Sequence, residues 1–214
     1  MIDKVIISHN HYDHLDKASI QQLISKTKQF FVPLGMDTDL EHWGVNKEKL
    51  KSFDWWQEHQ TENALIAFTP ARHYSGRGFK DRNLTLWGSW VIKTKSETIY
   101  FSGDSGYFEG FKQIGEKYGP FDLTMIETGA YNVDWPAIHM FPVESVQAHL
   151  DLNGKTMLPI HNSTFDLSIH PWYEPLERVS VEAQKHQVTL TTPIVGEVFT
   201  AKQAIQNAWW NEYK

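Results

Sequence analysis

The sequence of 214 residues contains no cysteine. This absence excludes a disulfide framework and any metal site built from thiolates. A bound metal would therefore have to be held by imidazole and carboxylate groups. Because disulfides are rare in reducing compartments, the composition also fits a cytoplasmic protein, which is our expectation.

Long apolar runs and an excess of basic residues are also lacking. No segment approaches the roughly 20 apolar residues that span a bilayer, and no basic stretch followed by an apolar signal segment opens the chain. The 20 Lys and Arg residues are outnumbered by 26 Asp and Glu, which gives a net charge of -6. Such a balance argues against a surface that binds nucleic-acid phosphates. We expect a soluble protein with no nucleic-acid partner.

No repeat, low-complexity tract or Pro/Gly/Ser-rich linker divides the chain. Its length and its hydrophobic content of 41% are those of one globular domain that buries a core. We therefore expect a single domain over residues 1–214, in which most aromatic side chains fill the core.

Short apolar runs recur along the chain, and each precedes a residue type that binds metals. Their length and their β-branched or aromatic content are typical of buried strands. The runs are residues 5–8, 65–69, 98–101 and 156–160, which precede His9, His73, Asp104 and His161. Helical patterns over 18–28 and 143–150 lie between them. This alternation predicts an α/β fold in which four strands deliver these residues to one sheet edge.

The segment His9-Asn10-His11-Tyr12-Asp13-His14 has the pattern H-x-H-x-D-H. In an extended loop, residues two apart point the same way, so His9 and His11 can bind one metal together. Asp13 and His14 then turn toward a neighbouring ligand group. The spacing indicates a loop after a strand and differs from the helical zinc-protease pattern H-E-x-x-H.

Three later residues supply what this segment lacks. His73 adds a third imidazole, Asp104 adds a carboxylate able to bridge two ions, and His161 adds a last imidazole. Two ions that share a carboxylate lie roughly 3.5–4 Å apart and can hold one hydroxide between them. The sequence therefore predicts a site for two metal ions.

These motifs resemble those of the metallo-β-lactamase superfamily. A closer resemblance, to the hydrolases of the N-acylphosphatidylethanolamine phospholipase D type, extends from about Ile2 to Trp172. It rests on the segments Ser8-His9-Asn10-His11-Tyr12-Asp13-His14-Leu15-Asp16, Leu86-Trp87-Gly88-Ser89-Trp90, Gly103-Asp104-Ser105-Gly106-Tyr107, Gly119-Pro120-Phe121-Asp122-Leu123, Gly129-Ala130-Tyr131 and His139-Met140.

The resemblance implies an α/β fold of the αββα sandwich type and a site with two zinc ions, although other divalent metals fit such ligands as well. One ion would be held by His9, His11 and His73. The other would be held by Asp13, His14 and His161, with Asp104 as the bridge. The resemblance also places His139 near the leaving group or a substrate phosphate.

Two features depart from the resembled group. After His139-Met140 that group usually continues with Asn-Pro-Glu-Glu, whereas this chain has Phe141-Pro142-Val143-Glu144. Members of the group also carry several strands before the first ligand motif, which here begins at His9. We therefore expect an N-terminally truncated sandwich, and a homo-oligomer formed by dimerisation or strand exchange that covers the exposed edge.

Three functions follow as hypotheses. The first is hydrolysis of a phosphodiester in a phospholipid or small-molecule substrate by a metal-bridging hydroxide, with contact to a membrane surface left open. The catalytic residues would be Asp104, Asp13, which orients the hydroxide as well as binding metal, and His139, which protonates the departing oxygen. The second is hydrolysis of a carboxylic ester or lactone at the same site. The third is a metal-binding protein without turnover.

Other conspicuous residues are interpreted as packing or surface residues. Trp87 and Trp90 are interpreted as strand packing, and Tyr131 and Trp135 fall in a predicted loop. The remaining histidines are interpreted as surface or satisfied core residues. They are His42, His59, His149, His170 and His186.

Overall fold

The computed structural model describes all 214 residues and contains two sheets. The smaller sheet has three parallel strands in the order β1-β2-β3. Its strands are β1 (Ile2–Ile6), β2 (Thr27–Pro33) and β3 (Leu50–Phe53). The dimerisation or strand exchange expected at the edge strand β1 stays a prediction.

The larger sheet has seven strands in the order β10-β9-β8-β7-β6-β5-β4. Neighbouring strands are antiparallel from β4 to β7 and parallel from β7 to β10. As a result, β5, β7 and β9 run in the same direction. The strands are β4 (Glu58–Gln60), β5 (Ala64–Thr69), β6 (Ser89–Thr94), β7 (Thr98–Phe101), β8 (Phe121–Glu127), β9 (Gly154–Ile160) and β10 (Thr189–Leu190).

Five α-helices cover the outer faces of the two sheets. None of them combines the length and the apolar character that a helix needs to cross a bilayer. The helices are α1 (Lys17–Leu23), α2 (Asp37–His42), α3 (Gly110–Tyr118), α4 (Pro142–Asp151) and α5 (Glu174–Lys185), with 3₁₀ turns at Lys47–Lys49 and Trp209–Glu212.

Alternating side chains of the strands sort into three apolar layers. Phe30 and Val32 of β2 pack with residues of α1 and α2, whereas Phe31 between them faces the larger sheet. Phe68 and Trp90 of the larger sheet meet Phe31 in the central layer. A third cluster joins the other face of the larger sheet to α3, α4 and α5. The chain therefore has the predicted αββα sandwich.

Three of the four strands that precede the predicted ligands end at the predicted residue, whereas the first ends two residues earlier than its predicted run over 5–8. β5, β7 and β9 end at Thr69, Phe101 and Ile160, so their carboxyl ends lie at the same edge of the larger sheet. β1 ends at Ile6, before His9, but it belongs to the smaller sheet. The expectation of one sheet edge was wrong, because two packed sheets contribute.

The helix predicted over 18–28 is too long. Helix α1 ends at Leu23, and Thr27 and Lys28 already belong to β2. Its start is set by Asp16, whose carboxylate accepts a hydrogen bond from the Ser19 N–H at 2.7 Å. The aromatic and β-branched run that follows is buried as a strand, and this burial overrides the helical spacing. The helix predicted over 143–150 is confirmed as α4.

Trp90 connects the two sheets through a buried hydrogen bond. Its side chain is fully buried, and its indole Nε1 donates to the Ile7 carbonyl at 2.9 Å. Ile7 directly precedes the loop that carries His9. The contact therefore fixes the entry to that loop relative to the larger sheet.

We expect Trp90→Phe to lower the free energy of unfolding by about 1–3 kcal/mol, because the Ile7 carbonyl would lose its buried partner. Urea denaturation followed by circular dichroism measures this change. Trp209→Phe is the matched control, since its partly exposed indole stacks on Trp172. Equal losses in the two variants would contradict the assigned role of the hydrogen bond.

Candidate metal centre

Three imidazoles of the first predicted group converge through their ring nitrogens. Nδ1 of His11 lies 3.0 Å from Nε2 of His9 and 3.2 Å from Nε2 of His73. The other nitrogen of His73, Nδ1, donates to the Ile138 carbonyl at 3.0 Å. This bond leaves the Nε2 lone pair of His73 directed at the other two rings, which is the arrangement that a metal ligand requires.

The second predicted group gathers beside the first. Oδ2 of Asp13 lies 3.2 Å from Nε2 of His14 and 3.3 Å from Nε2 of His161. The rings of His14 and His161 are nearly parallel, with centroids 5.0 Å apart. One carboxylate and two imidazoles therefore face a common point, although they come from positions far apart in the sequence.

Asp104 lies between the two groups. Its Oδ2 is 3.1 Å from Nε2 of His14 and 3.3 Å from Nε2 of His161. The same oxygen is 3.8 Å from Nε2 of both His9 and His73. The structure thus brings together all seven residues that the sequence predicted as ligands, with the proposed bridging carboxylate in the middle.

A glycine explains how the backbone brings Asp104 so close. Gly103 has φ of +58°, and a Cβ at this position would lie 2.6 Å from the Cβ of Ser8. Only glycine tolerates both this left-handed conformation and this contact. The bend after β7 therefore sets the carboxylate against the loop of His9.

The cluster has the properties of a cation site. Oδ1 of Asp104 is buried and has no hydrogen-bond partner, and Nε2 of His14 faces only the carboxylates of Asp13 and Asp104. Imidazole and carboxylate donors at this density would be costly to bury without a compensating partner. Two cations, one in each group, would compensate these atoms, so the residues present fit a pair of metal ions.

The pKa values of the first group favour neutral imidazoles. Burial lowers the pKa of His73 to about 3 and brings the pKa of His9 well below its usual range. Burial also lowers the pKa of His11. Neutral imidazole is the form that binds a metal, so this group needs to lose no proton before binding.

The second group differs because the carboxylates of Asp13 and Asp104 lie closer to its imidazoles. Burial lowers the pKa of His14, but the opposing effects of Asp104 and Asp13 are larger in sum and raise it to about 10. The pKa of His161 is raised as well, since Asp104 and Asp13 together outweigh its burial. Burial raises the pKa of Asp13, but hydrogen bonds from His14 and His161 outweigh it and bring this pKa below its usual range. A cation entering this group must displace protons.

His139 lies beside the cluster, as predicted, and has a partner that sequence reasoning missed. Its ring contacts those of His73 and His161, at centroid distances of 5.3 and 5.4 Å. Its Nδ1 lies 2.7 Å from Oε1 of Glu127, which is fully buried. The position of Glu127 at the end of β8, beside β7 and β9, was the signal that could have identified it.

Two depressions meet at the cluster. The larger, of about 870 Å³, exposes both ligand groups and His139. Its outer wall is formed by Tyr12, Tyr74, Arg77, Phe79, Arg82 and Trp135. The smaller, of about 520 Å³, shares Asp13 and His161 with it and continues along the segment after β9. Substrate can therefore reach the cluster from an open cleft.

Most of the residues interpreted as packing or surface residues have that role. Trp90 is buried in the core, and Trp87 donates from Nε1 to the Ala71 carbonyl at 3.0 Å. His149 is buried with its Nδ1 2.7 Å from the Thr124 hydroxyl. His170 differs, because it stacks on Tyr131 and also lines the smaller depression. The others contact local partners and lie apart from the cluster, namely His42, His59 and His186.

Comparison with known proteins was made at the levels of family, sequence and structure. Residues 1–162 match the family described as Beta-lactamase superfamily domain. An uncharacterized protein of Mycobacterium tuberculosis is 44% identical over 214 residues, which cover 98% of this chain and 57% of that protein. The N-acyl-phosphatidylethanolamine-hydrolyzing phospholipase D 1 of Caenorhabditis elegans is 30% identical, with coverage of 94% and 61%. The chain thus spans about three fifths of the length of these curated relatives.

The fold has a counterpart among solved structures. Igni18, a metallo hydrolase from the archaeon Ignicoccus hospitalis, superimposes with a TM-score of 0.71 over 92% of this chain and 80% of that chain. The sequence identity is 22%, so this likeness concerns the fold alone. The match over residues 1–162 identifies the chain as a member of the metallo-β-lactamase superfamily.

Proposed function

We propose that the chain is a hydrolase with two metal ions, most simply zinc, that cleaves a phosphodiester in a lipid-like substrate. The observation that carries this proposal is the position of Asp104 Oδ2, within 3.1–3.8 Å of imidazole nitrogens from both ligand groups. One carboxylate between two sets of ligands is the arrangement of a two-metal site.

The cations supply the two elements of the chemistry that the side chains lack. When bound, they lower the pKa of water and neutralise charge on phosphoryl oxygens. Asp13 borders the cleft, where its carboxylate can orient the attacking water. His139 also borders the cleft and donates a proton or a hydrogen bond to the departing oxygen.

The wall of the larger cleft supports an anionic substrate with an apolar part. The guanidinium of Arg82 lies 4.9 Å from the ring centre of Tyr74, whose ring in turn contacts that of His11. Phe79 and Tyr12 expose apolar surface at the same cleft. The name of the nematode relative, an N-acyl-phosphatidylethanolamine-hydrolyzing phospholipase D, points to the same class of substrate. Contact with a membrane surface stays a prediction.

A substrate panel separates the three hypotheses. The panel contains bis(p-nitrophenyl) phosphate, N-acylphosphatidylethanolamine and an acyl lactone. Turnover of the phosphodiesters in preference to the lactone supports the proposal, and the reverse preference supports the ester or lactone hydrolase. Two bound ions without turnover of any compound would support the metal-binding protein.

We expect His9→Ala to reduce turnover and metal content together. The loss of kcat should exceed about 100-fold, since even the removal of an outer partner of a metal ligand typically costs 10- to 100-fold. Metal content is measured by mass spectrometry of the purified protein. His186→Ala, on the surface, is the matched control and should retain both properties. Full activity in metal-stripped protein would refute the assignment.

We expect the two ions to respond differently to pH. Between pH 8 and pH 6, affinity at the group with Asp13 and His14 should fall about tenfold per unit for each displaced proton, because the pKa of His14 is raised to about 10. Affinity at the group with His73 should stay constant, because that pKa is lowered to about 3. Zinc titration calorimetry in buffers of different ionisation enthalpy measures the proton release. Equal proton release for both ions would contradict this difference.

We expect Arg82→Gln to raise KM for bis(p-nitrophenyl) phosphate about two- to fivefold and to leave KM for the neutral lactone unchanged. An exposed ion pair contributes up to about 1 kcal/mol, which sets this range. Arg77 is unsuitable for the comparison, since its guanidinium already donates to the Asn10 and Leu15 carbonyls. Lys80→Gln, in the same loop, is the matched control. An unchanged KM for the phosphodiester would exclude Arg82 from substrate binding.

A further inference from the structure

We infer that Glu127 is a positioning residue that holds Nε2 of His139 toward the reacting phosphodiester. The inference rests on the proposed function, because it concerns the proton that the departing oxygen receives. Glu127 is not among the seven converging ligands, and its closest ring contact is the 2.7 Å hydrogen bond to His139. Three observations carry the inference.

The first observation is that both oxygens of the carboxylate are engaged. Glu127 has no solvent exposure. Its Oε1 pairs with Nδ1 of His139 at 2.7 Å, and its Oε2 accepts from the Met140 N–H at 3.1 Å. Burial of a carboxylate is unfavourable unless its oxygens are paired. Both partners belong to the short segment His139-Met140, so the carboxylate holds that segment in place.

The second observation is that the backbone of Glu127 is held on two sides. Its N–H donates to the Ser102 hydroxyl at 2.9 Å, and its carbonyl accepts from the Ser145 hydroxyl at 2.8 Å. Ser102 follows β7, and Ser145 belongs to α4. The carboxylate is therefore placed by the same sheet edge that places Asp104, and its position relative to the ligand cluster is set by the fold.

The third observation is the orientation of the imidazole. The two nitrogens of a histidine ring lie on different sides of the ring, and the bond made by one decides the role of the other. Nδ1 of His139 is bonded to Glu127, whereas Nε2 has no protein partner and the ring lines the cleft. Without the carboxylate, a half-turn of the ring would exchange Nδ1 for a carbon atom and withdraw Nε2 from the cleft.

The consequence for the reaction concerns the leaving group. The oxygen of water forms a bond to phosphorus, the bond from phosphorus to the alcohol oxygen breaks, and that oxygen takes the Nε2 proton of the His139 imidazolium, whose Nδ1–H stays bonded to Glu127. A proton of the attacking water restores the imidazolium, so the sum is hydrolysis of one P–O bond by one water. An alkoxide needs this proton, whereas p-nitrophenolate leaves without it.

A competing role for Glu127 is support of a metal ligand. Nδ1 of His161 lies 3.9 Å from the same Oε1, which exceeds hydrogen-bond distance. In that role, removal of the carboxylate would weaken metal binding and slow every substrate equally. The two roles therefore differ in their dependence on the leaving group and in metal content.

The test compares Glu127→Gln with the wild-type zinc-loaded protein. For N-acylphosphatidylethanolamine, which has an alkoxide leaving group, kcat should fall on the order of 10- to 100-fold with KM unchanged. For bis(p-nitrophenyl) phosphate, kcat should fall less than about threefold, and two zinc ions should remain bound. Equal losses for both substrates, or loss of zinc, would overturn the inference. Glu58→Gln, which removes a carboxylate bonded to Tyr118 at the far strand β4, is the matched control.

Two further variants keep the test decisive. The double variant of Glu127→Gln and His139→Gln should be no slower than His139→Gln alone, because the carboxylate acts through the imidazole; an additive loss would overturn the inference. If Glu127→Gln fails to fold, Glu127→Asp shortens the side chain but keeps its carboxyl group. It should show the same loss confined to the alkoxide substrate, and a uniform loss would again overturn the inference.

A spectroscopic readout separates this inference from the proposed function. Long-range ¹H–¹⁵N spectra of the zinc-loaded protein report which ring nitrogen carries a proton, and His139→Gln assigns the signals. Glu127→Gln should shift the ring nitrogens of His139 and leave those of His186 in place. Unchanged His139 signals would overturn the positioning role. Absence of phosphodiester turnover in the wild-type protein would refute the proposed function while leaving this measurement interpretable.

Discussion

The structure depends on the burial of one carboxylate among imidazoles. Asp104 is 3% exposed, and its Oδ2 lies within 3.8 Å of four histidine side chains. Such a charge is tolerated in the interior only when it is compensated, so the histidines must be held around it. The bend at Gly103, the close contact with Ser8 and the parallel ends of β5, β7 and β9 all serve this arrangement.

Two ligand groups of different electrostatic character share this carboxylate. Burial dominates the first group, which keeps His9 and His73 neutral. In the second group the carboxylates of Asp104 and Asp13 together outweigh burial and raise the pKa of His14. Because the two groups lie side by side, one carboxylate lies between two unlike environments.

Much of this arrangement could be predicted from the sequence, because each ligand follows a short strand and its residue type is conspicuous. The run before His161 is a strand, and the pattern around His9 is a loop, as predicted. The smaller sheet was less predictable. Residues 27–28 continue a helical spacing, and only the burial of Thr27 against the rest of the fold makes them a strand.

Glu127 could not be recognised for a related reason. A glutamate in a strand gives no local sign that its carboxylate is buried, and its partner His139 is twelve residues away, with no regular element joining them. The sequence likewise did not show that β1 and β5 belong to different sheets, since this depends on packing between distant segments. Spacing revealed the seven converging side chains, but it revealed neither the residues that support them nor the pairing of the two sheets.

The ligands span residues 9 to 161, and this separation has a consequence for how the protein folds. Neither ligand group is complete within one contiguous segment, since the first requires His73 and the second requires His161. Such long-range closure is slow, and it cannot occur before the two layers have docked. Cations that bind only the finished site would therefore favour the folded chain over the unfolded ensemble, and by mass action their concentration would set the folded fraction.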